Sequence, residues 1–243
     1  MKKILLLSIL SLSTLLVSCN KEAQSGNLTI SGKVEGLKQG TLYIQRIQDT
    51  TMVTLDSIII KGNSEFQTSL QIEDPEMFFL SLNRGTTASQ DNQLMFFAEP
   101  GKIHIETSLK NFYADAKISG SKNQNVYEDY LKTRALITDK QNEILIAILN
   151  AEKEGKLAQK DSLLNLSTKI SGKRYLNAVN FAITHADSDV ASYIALSEIY
   201  DRPIKYLDTI QNSLKDGAAD RKYGKALKEF IKERKEGEKA TDN

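Results

Sequence analysis

The sequence has a single cysteine, two histidines, three prolines and no tryptophan in 243 residues. Dithiol exchange needs an attacking thiolate and usually a second cysteine. A zinc site with only two histidines would need carboxylates from distant segments, and the GxSxG motif of a nucleophilic serine is absent from the sequence. We therefore expect no catalytic residue, no metal, no cofactor and no redox catalysis by this polypeptide alone.

An excess of charge of one sign is also lacking. The chain has 32 basic and 31 acidic residues, which gives a formal net charge of +1. Proteins that bind nucleic acid present a basic patch or stripe, so we expect no nucleic-acid partner. No long apolar run follows Val17, and we expect the remainder of the chain to be soluble.

The only long apolar run lies at the start of the chain. Lys2 and Lys3 precede an apolar stretch at 4–17, which is too short for a transmembrane helix, since such a helix needs about 20 residues. The stretch ends in Leu-Val-Ser-Cys at 16–19, which resembles the lipobox of bacterial lipoproteins. An ordinary secretory signal with a chance cysteine is the alternative.

The lipobox resemblance implies that residues 1–18 are a signal peptide and that Cys19 carries diacylglycerol and an acyl chain such as palmitate. Each buried CH₂ contributes about 0.8 kcal/mol, so several acyl chains would anchor the protein firmly. Position 20 is Asn, not the Asp that holds many lipoproteins at the inner membrane. We expect an outer-membrane lipoprotein that faces the periplasm, with residues 19–27 as a lipidated tether.

The pattern of apolar residues divides the rest of the chain into two parts. Apolar residues alternate in short runs at 28–120, and they recur at helical spacing at 121–236. The predicted fold class is α+β, with an N-terminal antiparallel β-sandwich or open barrel followed by a C-terminal helical domain. Residues 237–243 are predicted to form a disordered tail.

Local signals add boundaries to this prediction. Gly32 interrupts the first strand as a bulge would, the pair Gly62-Asn63 suggests a short hairpin connection, and Pro100-Gly101 suggests a turn between two strands. In the second part, the string EKEGK at 152–156 separates two helices. One residue of 187–189 is expected to cap the next helix, and a proline at 203 to open another.

Few side chains stand out as candidates for a site. His104 lies between two isoleucines and is expected on the solvent face of its strand, and His185 is expected at the end of a helix. The acidic pairs at 73–74 and 128–129 are typical of solvated surface. Five tyrosines could stack on a sugar or a peptide, but their helical spacing is more typical of core residues; they are Tyr175, Tyr193, Tyr200, Tyr206 and Tyr223.

Three strings resemble one protein family: LDSIIIKGNSEFQTSL at 55–70, FFAEPGKIHI at 96–105 and ISGSKNQNVYEDY at 118–130. They look like the β-rich N-terminal domain, a domain of unknown function, of lipid-anchored thiol–disulfide oxidoreductases of the thioredoxin or alkyl hydroperoxide reductase-like type. In that family a helical segment follows the β-domain and leads to a thioredoxin-like domain. This sequence ends at Asn243, where the resemblance places the start of that domain.

We therefore expect a non-enzymatic, lipid-anchored protein of the cell envelope that acts as a binding or positioning module. Its membrane contact would run through lipidated Cys19. The alternative is the N-terminal part of a split or truncated thiol–disulfide oxidoreductase that works with a separate thioredoxin-like subunit. The expected partner is accordingly either that thioredoxin-like protein or an envelope ligand such as a sugar or a peptide.

Overall fold

The computed structural model describes residues 26–83 and 90–241. The predicted signal peptide and Cys19 lie outside the described residues. The described part of the chain forms two four-stranded sheets and then five α-helices. The fold class is α+β, as the pattern of apolar residues predicts.

The strands run through the first part of the chain in short segments. They are β1 Leu28–Glu35, β2 Gln39–Gln48, β3 Thr51–Lys61, β4 Glu65–Leu70, β5 Glu76–Asn83, β6 Gln93–Ala98, β7 Gly101–Ser108 and β8 Lys117–Ser119. One sheet has the order β4-β1-β7-β8 and the other the order β3-β2-β5-β6. The two sheets stack as an open sandwich.

One strand pair departs from the predicted antiparallel arrangement. Strands β1 and β7 are parallel, with Leu28 opposite Gly101 and Ile30 opposite Ile103. The other pairs among the described strands are antiparallel. Strands joined by a tight hairpin must be antiparallel. Strand β7 follows β6, which lies in the other sheet, so no hairpin joins β7 to β1 and the two can be parallel. The first sheet is therefore mixed.

The predicted hairpin at Gly62-Asn63 is wrong. Strands β3 and β4 lie in different sheets, so these residues carry the chain across the sandwich. Pro100-Gly101 also crosses between sheets, from β6 to β7. The turn residues indicate where the chain reverses, but the pairing of the next strand depends on which sheet has an open position.

The predicted bulge at Gly32 is also wrong. The pairing of β1 with β4 continues without a shift through Gly32 and Phe66. A Cβ atom at position 32 would lie 1.9 Å from the carbonyl oxygen of Ile105. The glycine is thus required by close packing against the neighbouring strand, and the register shift occurs elsewhere, between Ile44 and Gln45 of β2.

Two residues of the predicted tether belong to the sandwich. The side chain of Asn27 donates to the carbonyl oxygen of Ile72 at 2.7 Å and accepts from its N–H at 2.9 Å. The backbone N–H of Gly26 donates to the hydroxyl of Ser69 at 3.0 Å. These bonds fix the chain immediately before β1.

The helices fill the second part of the chain. They are α1 Lys122–Lys153, α2 Leu157–Thr184, α3 Asp189–Glu198, α4 Ile204–Ser213 and α5 Lys222–Thr241. The break at 154–156 is confirmed. Ser188 caps α3 by accepting from the N–H of Val190 at 3.2 Å, and Pro203 precedes α4, as the sequence signals predict.

Helix α5 extends to Thr241, so residues 237–241 are helical although a disordered tail is predicted for 237–243. Glu, Lys and Ala in this stretch are good helix formers. An ion pair between Arg234 and Glu238, at 3.3 Å and one helical turn apart, supports the last turns.

Strand β5 explains how the two parts of the chain join. Successive side chains of a strand point to opposite faces. Phe78 and Leu80 therefore lie in the core between the sheets, while Met77 and Phe79 lie in a second core shared with the helices. Burial on both faces accounts for the continuous apolar run of this strand.

Candidate functional site

The junction between the sandwich and the helices begins at Glu99, directly after β6. Its carboxylate accepts from the backbone N–H of Lys122, the first residue of α1. Ser121 caps the same helix by accepting from the N–H of Gln124 at 2.9 Å. A carboxylate at a helix N-terminus satisfies N–H groups that lack an intrahelical partner. The turn after β6 therefore fixes the start of α1.

Asn123 extends this contact to α3. Its amide nitrogen donates to Glu99 Oε2 at 2.6 Å, and its amide oxygen accepts from the Ser188 hydroxyl at 2.7 Å and from the Asp189 N–H at 3.1 Å. Asp189 in turn accepts from Arg221 Nε at 2.8 Å. Burial raises the pKa of Asp189, and Arg221 opposes that rise.

A second charged group joins the start of β5 to α5. The buried carboxylate of Glu76 pairs with Arg46 at 3.0 Å and with Lys222. Beside it, the N–H of Met77 donates to the hydroxyl of Tyr223 at 2.9 Å. The sandwich and α5 are thus joined by both charge and hydrogen bonding.

Helix α1 covers the outer edge of β6. The N–H of Phe97 donates to the side-chain oxygen of Gln124 at 2.8 Å. An edge strand has one row of N–H and C=O groups that its sheet does not pair. Gln124 satisfies one of these groups inside the protein, which adds to the contacts between the helices and the sandwich.

Aromatic rings fill the centre of the junction. Phe97 contacts Tyr127, Tyr193 and Tyr223 edge to face, with ring centroids 5.6–6.1 Å apart. Burial raises the pKa values of the three tyrosines. Tyr193 and Tyr223 are therefore partly buried and packed against the core, as their helical spacing predicts.

A cleft lies on the helical part between α2 and the end of α3. It encloses about 290 Å³ and is lined in part by Arg174, Tyr175, Glu198, Tyr200 and Arg202. Glu198 binds Arg174 at 2.9 Å. The guanidinium of Arg202 lies 5.1 Å from the centre of the Tyr175 ring. Such a cleft offers hydroxyl, carboxylate and guanidinium groups to a small polar ligand.

The tyrosines named as candidates therefore lie in two regions, the junction and the cleft. Tyr175 and Tyr200 line the cleft, where an aromatic ring can stack on a sugar or a peptide. Tyr206 packs against Tyr175 with ring centroids 5.7 Å apart and is not among the residues that line the cleft.

Neither histidine is among the residues that line the cleft. His104 is exposed on its strand, as predicted, and contacts Ser31 at 3.2 Å and Glu106 at 3.4 Å. His185 follows the last residue of α2, as predicted, and stacks on Phe181. Within residues 26–83 and 90–241, no group of three or more His, Cys, Asp or Glu side chains is arranged to hold a metal ion.

Helices α1 and α2 form an antiparallel hairpin that carries many exposed apolar side chains. Among the described residues, eight of the thirteen exposed large hydrophobic side chains belong to these two helices. They are Leu136, Leu145, Ile146, Leu149, Leu157, Leu164, Leu166 and Leu176. Exposed apolar side chains are typical of an interaction site where they form a patch on one face.

Sequence reasoning missed most of the charged residues at the junction. Glu99 could have been found, because the string FFAEPGKIHI places its carboxylate in a turn between two apolar strands. Glu76 and Glu198 carry no local signal, and Asp189 is signalled only as a candidate helix cap. Their partners come from segments far along the chain, so only the folded structure brings them together.

Comparison with protein families gives one match. Residues 28–127 match the family described as a domain of unknown function (DUF4369). The matched segment contains all eight described strands and the first turns of α1, up to Tyr127. The comparisons with curated proteins and with solved structures give no match. No helix in the described ranges 26–83 and 90–241 has the length and apolar character needed to cross a membrane.

Proposed function

We propose that this protein is a non-enzymatic, lipid-anchored protein of the cell envelope that acts as a binding or positioning module. The observation that carries the proposal is the exposed apolar surface of the α1–α2 hairpin. Burying such surface on a partner is favourable by about 25 cal/mol per Å². A surface that stays exposed in the folded chain is therefore available for binding.

The junction supports the positioning role. The bonds of Glu99, Asn123 and Asp189, together with the Glu76 ion pairs, join the sandwich to the helices at several points. Hydrogen bonds to charged groups contribute roughly 1.5–3 kcal/mol each. A sandwich held in this way would keep the hairpin at a fixed orientation relative to the chain start, where we place the membrane anchor.

The anchor is tested by metabolic labelling with a palmitate analogue in a bacterium that processes lipoproteins. We expect the wild-type chain to be labelled and to fractionate with the outer membrane, and Cys19→Ala to lose the label. Ser18→Ala is the matched control, because it keeps a small residue before the cysteine. Labelling of Cys19→Ala equal to that of the wild type would contradict the lipobox interpretation.

The binding role is tested by affinity capture from envelope extract with residues 20–243 as bait. Every described element lies within these residues. We expect the wild-type bait to retain a partner, this chain included, that the double variant Leu145→Glu/Leu149→Glu loses. Capture that is the same for both baits would show that the hairpin is not the binding surface.

A second candidate function is support of a separate thioredoxin-like subunit. Two of the strings that resemble the family of lipid-anchored oxidoreductases contact each other in the structure, which favours this function. They are 96–105 and 118–130, and the contact is the hydrogen bond between Asn123 and Glu99. The chain would then hold the redox subunit near the membrane. Specific capture of a thioredoxin-like protein by residues 20–243, and dithiol turnover only when it is added, would favour this function.

A further inference from the structure

The exposed apolar side chains of the α1–α2 hairpin include four leucines that can be placed on one face. Leu145 and Leu149 on α1 are 54% and 56% exposed, and Leu157 and Leu164 on α2 are 67% and 44% exposed. We call these four residues the leucine face. Their arrangement follows from two contacts between the helices.

These contacts mark one side of the hairpin. The side-chain amide of Gln141 donates to the hydroxyl of Ser171 at 3.3 Å. Nearer the turn, Lys160 donates to Glu152 at 2.7 Å. Each contact joins α1 to α2, so both lie along the seam between the two helices.

The leucines of α1 lie beside this seam. Residues three or four apart are neighbours on one face of a helix. Leu145 follows Gln141 by four residues, and Leu149 precedes Glu152 by three. The side chains of Ile144 and Ile148, by contrast, are buried.

The leucines of α2 have the same relation to the seam. Leu157 precedes Lys160 by three residues, and Leu164 follows it by four. Ser171 follows Leu164 by seven residues, which is two helical turns. The four leucines therefore share one side of the hairpin, with the Gln141 and Glu152 contacts toward its two ends.

The net charge of the hairpin indicates which kind of partner it can bind. Residues 136–171 contain five lysines and five acidic residues. Several of these charges are paired along the surface, including Lys140 with Glu143 and Lys156 with Glu154. Such a neutral surface does not attract nucleic acid or acidic lipid, and it does not repel a second copy of itself, because net charge near zero promotes association.

The side of the hairpin that carries the leucine face is large enough for a weak dimer. At about 1.5 Å per residue and about 10 Å per helix diameter, the hairpin from 136 to its turn presents roughly 27 by 20 Å, or about 500 Å² on that side. Two such sides, with the leucine face at the centre of the contact, would bury about 1,000 Å², the lower limit for a specific interface.

We propose that the leucine face binds the same face of a second copy, so that two hairpins form a four-helix bundle. This inference rests on the proposed function and names its partner. A two-fold interface uses the same patch on both copies, and the apolar centre with polar contacts at its ends matches the usual anatomy of an interface. Two helices alone bury only one seam, whereas four helices enclose a core.

The proposal is tested by sedimentation equilibrium of residues 20–243. We expect a dimer with a Kd on the order of 10 μM, as suits an interface of this size. Leu145→Glu/Leu149→Glu should raise that Kd at least 10-fold. Ile59→Glu is the matched control, because Ile59 is an isoleucine 66% exposed on β3, outside the hairpin, and it should leave the Kd unchanged. Circular dichroism checks that each variant folds.

A crosslinking experiment tests the symmetry. Residues 20–243 contain no cysteine, so Leu149→Cys introduces a single thiol. A short bis-maleimide should join two copies of Leu149→Cys, and it should not join two copies of Ile59→Cys.

The outcomes separate the inference from the proposed function. A chain that stays monomeric up to about 500 μM overturns the inference. If such a chain still captures another protein through the leucine face, the proposed function stands without the dimer. If it neither dimerises nor captures a partner through the hairpin, both proposals are wrong.

Discussion

Replacing Asn123 by aspartate should destabilise the protein in a pH-dependent way. The substitution keeps the size of the side chain and one oxygen that accepts from Ser188 and Asp189. It replaces the amide nitrogen, which lies 2.6 Å from Glu99 Oε2 and 3.5 Å from Asp189 Oδ2, by a carboxylate oxygen. The change therefore introduces like charges at a buried position without leaving a cavity.

The magnitude follows from these distances. Two unit charges about 4 Å apart repel by about 4 kcal/mol at an effective dielectric constant of 20. The introduced carboxyl can escape this repulsion by binding a proton, which costs about 4 kcal/mol at pH 7 for a group with an ordinary pKa near 4. We expect the free energy of unfolding at pH 7 to fall by about 3–4 kcal/mol, a large part of the stability of an ordinary domain.

The sign of the pH dependence is fixed by the same repulsion. The pKa of the introduced carboxyl is higher in the folded state than in the unfolded state, where it is near 4. Above that pH the folded variant therefore binds more protons than the unfolded variant. Its deficit, the loss of unfolding free energy relative to the wild type, grows as pH rises from about 4. Below that pH the protonated carboxyl donates to Glu99 as the amide does, and we expect most of the deficit to disappear.

The assay is urea denaturation of residues 20–243, followed by circular dichroism at pH 7 and near pH 4. Asn125→Asp is the matched control. Asn125 lies on the same turn of α1 but is exposed, and an acidic residue near a helix N-terminus is neutral or slightly favourable. A deficit for Asn123→Asp below about 1 kcal/mol, or one that does not change with pH, would refute the account of the junction.

Three further predictions concern packing, charge and ionisation. Gly32→Ala should lower the free energy of unfolding by about 3 kcal/mol or more in the same urea assay, because its Cβ would lie 1.9 Å from a backbone oxygen. Gly172→Ala is the control, since its Cβ would have no atom within 4 Å, and it should be neutral or stabilising. Equal effects of the two substitutions would contradict the packing argument. Glu76→Gln should lower the free energy of unfolding by about 2 kcal/mol, since it weakens two ion pairs of a buried carboxylate. Glu229→Gln, which affects an exposed ion pair, should lower it by less than about 0.5 kcal/mol. No difference between the two variants would contradict the role of Glu76. In a spectrophotometric titration, three tyrosines packed in or against the helical core should ionise well above the usual pKa of about 10; they are Tyr127, Tyr130 and Tyr223. The folded state should therefore lose stability as pH rises above that value, and a single transition near pH 10 for every tyrosine without unfolding would contradict this packing.

Much of the fold could be predicted from the sequence because its signals are local. Alternation of apolar residues gave the strands, and helical spacing with a Gly in EKEGK gave α1, α2 and the break between them. Ser188 and Pro203 mark helix starts through bonds and dihedral limits that involve only adjacent residues. The change from strands to helices lies where the periodicity changes, at Ser121.

Strand pairing was decided by the tertiary structure. Gly62 and Gly101 show where the chain turns, but each turn leads into the opposite sheet. Gly32 has the same sequence signature whether it forms a bulge or permits a close approach. The carbonyl oxygen of Ile105, which is 73 residues away, decides between the two.

The junction and the leucine face illustrate the same limit for function. A motif such as the Leu-Val-Ser-Cys string at 16–19 is contiguous, so the sequence by itself predicts an anchor at Cys19. Glu76, Asp189 and Asn123 acquire their roles only when strands and helices from distant segments meet, because a buried charge is stable only beside its partner. Likewise, the spacing of Leu145 and Leu149 indicates an apolar helix face, but only the packing of α1 on α2 shows that this face remains exposed to solvent.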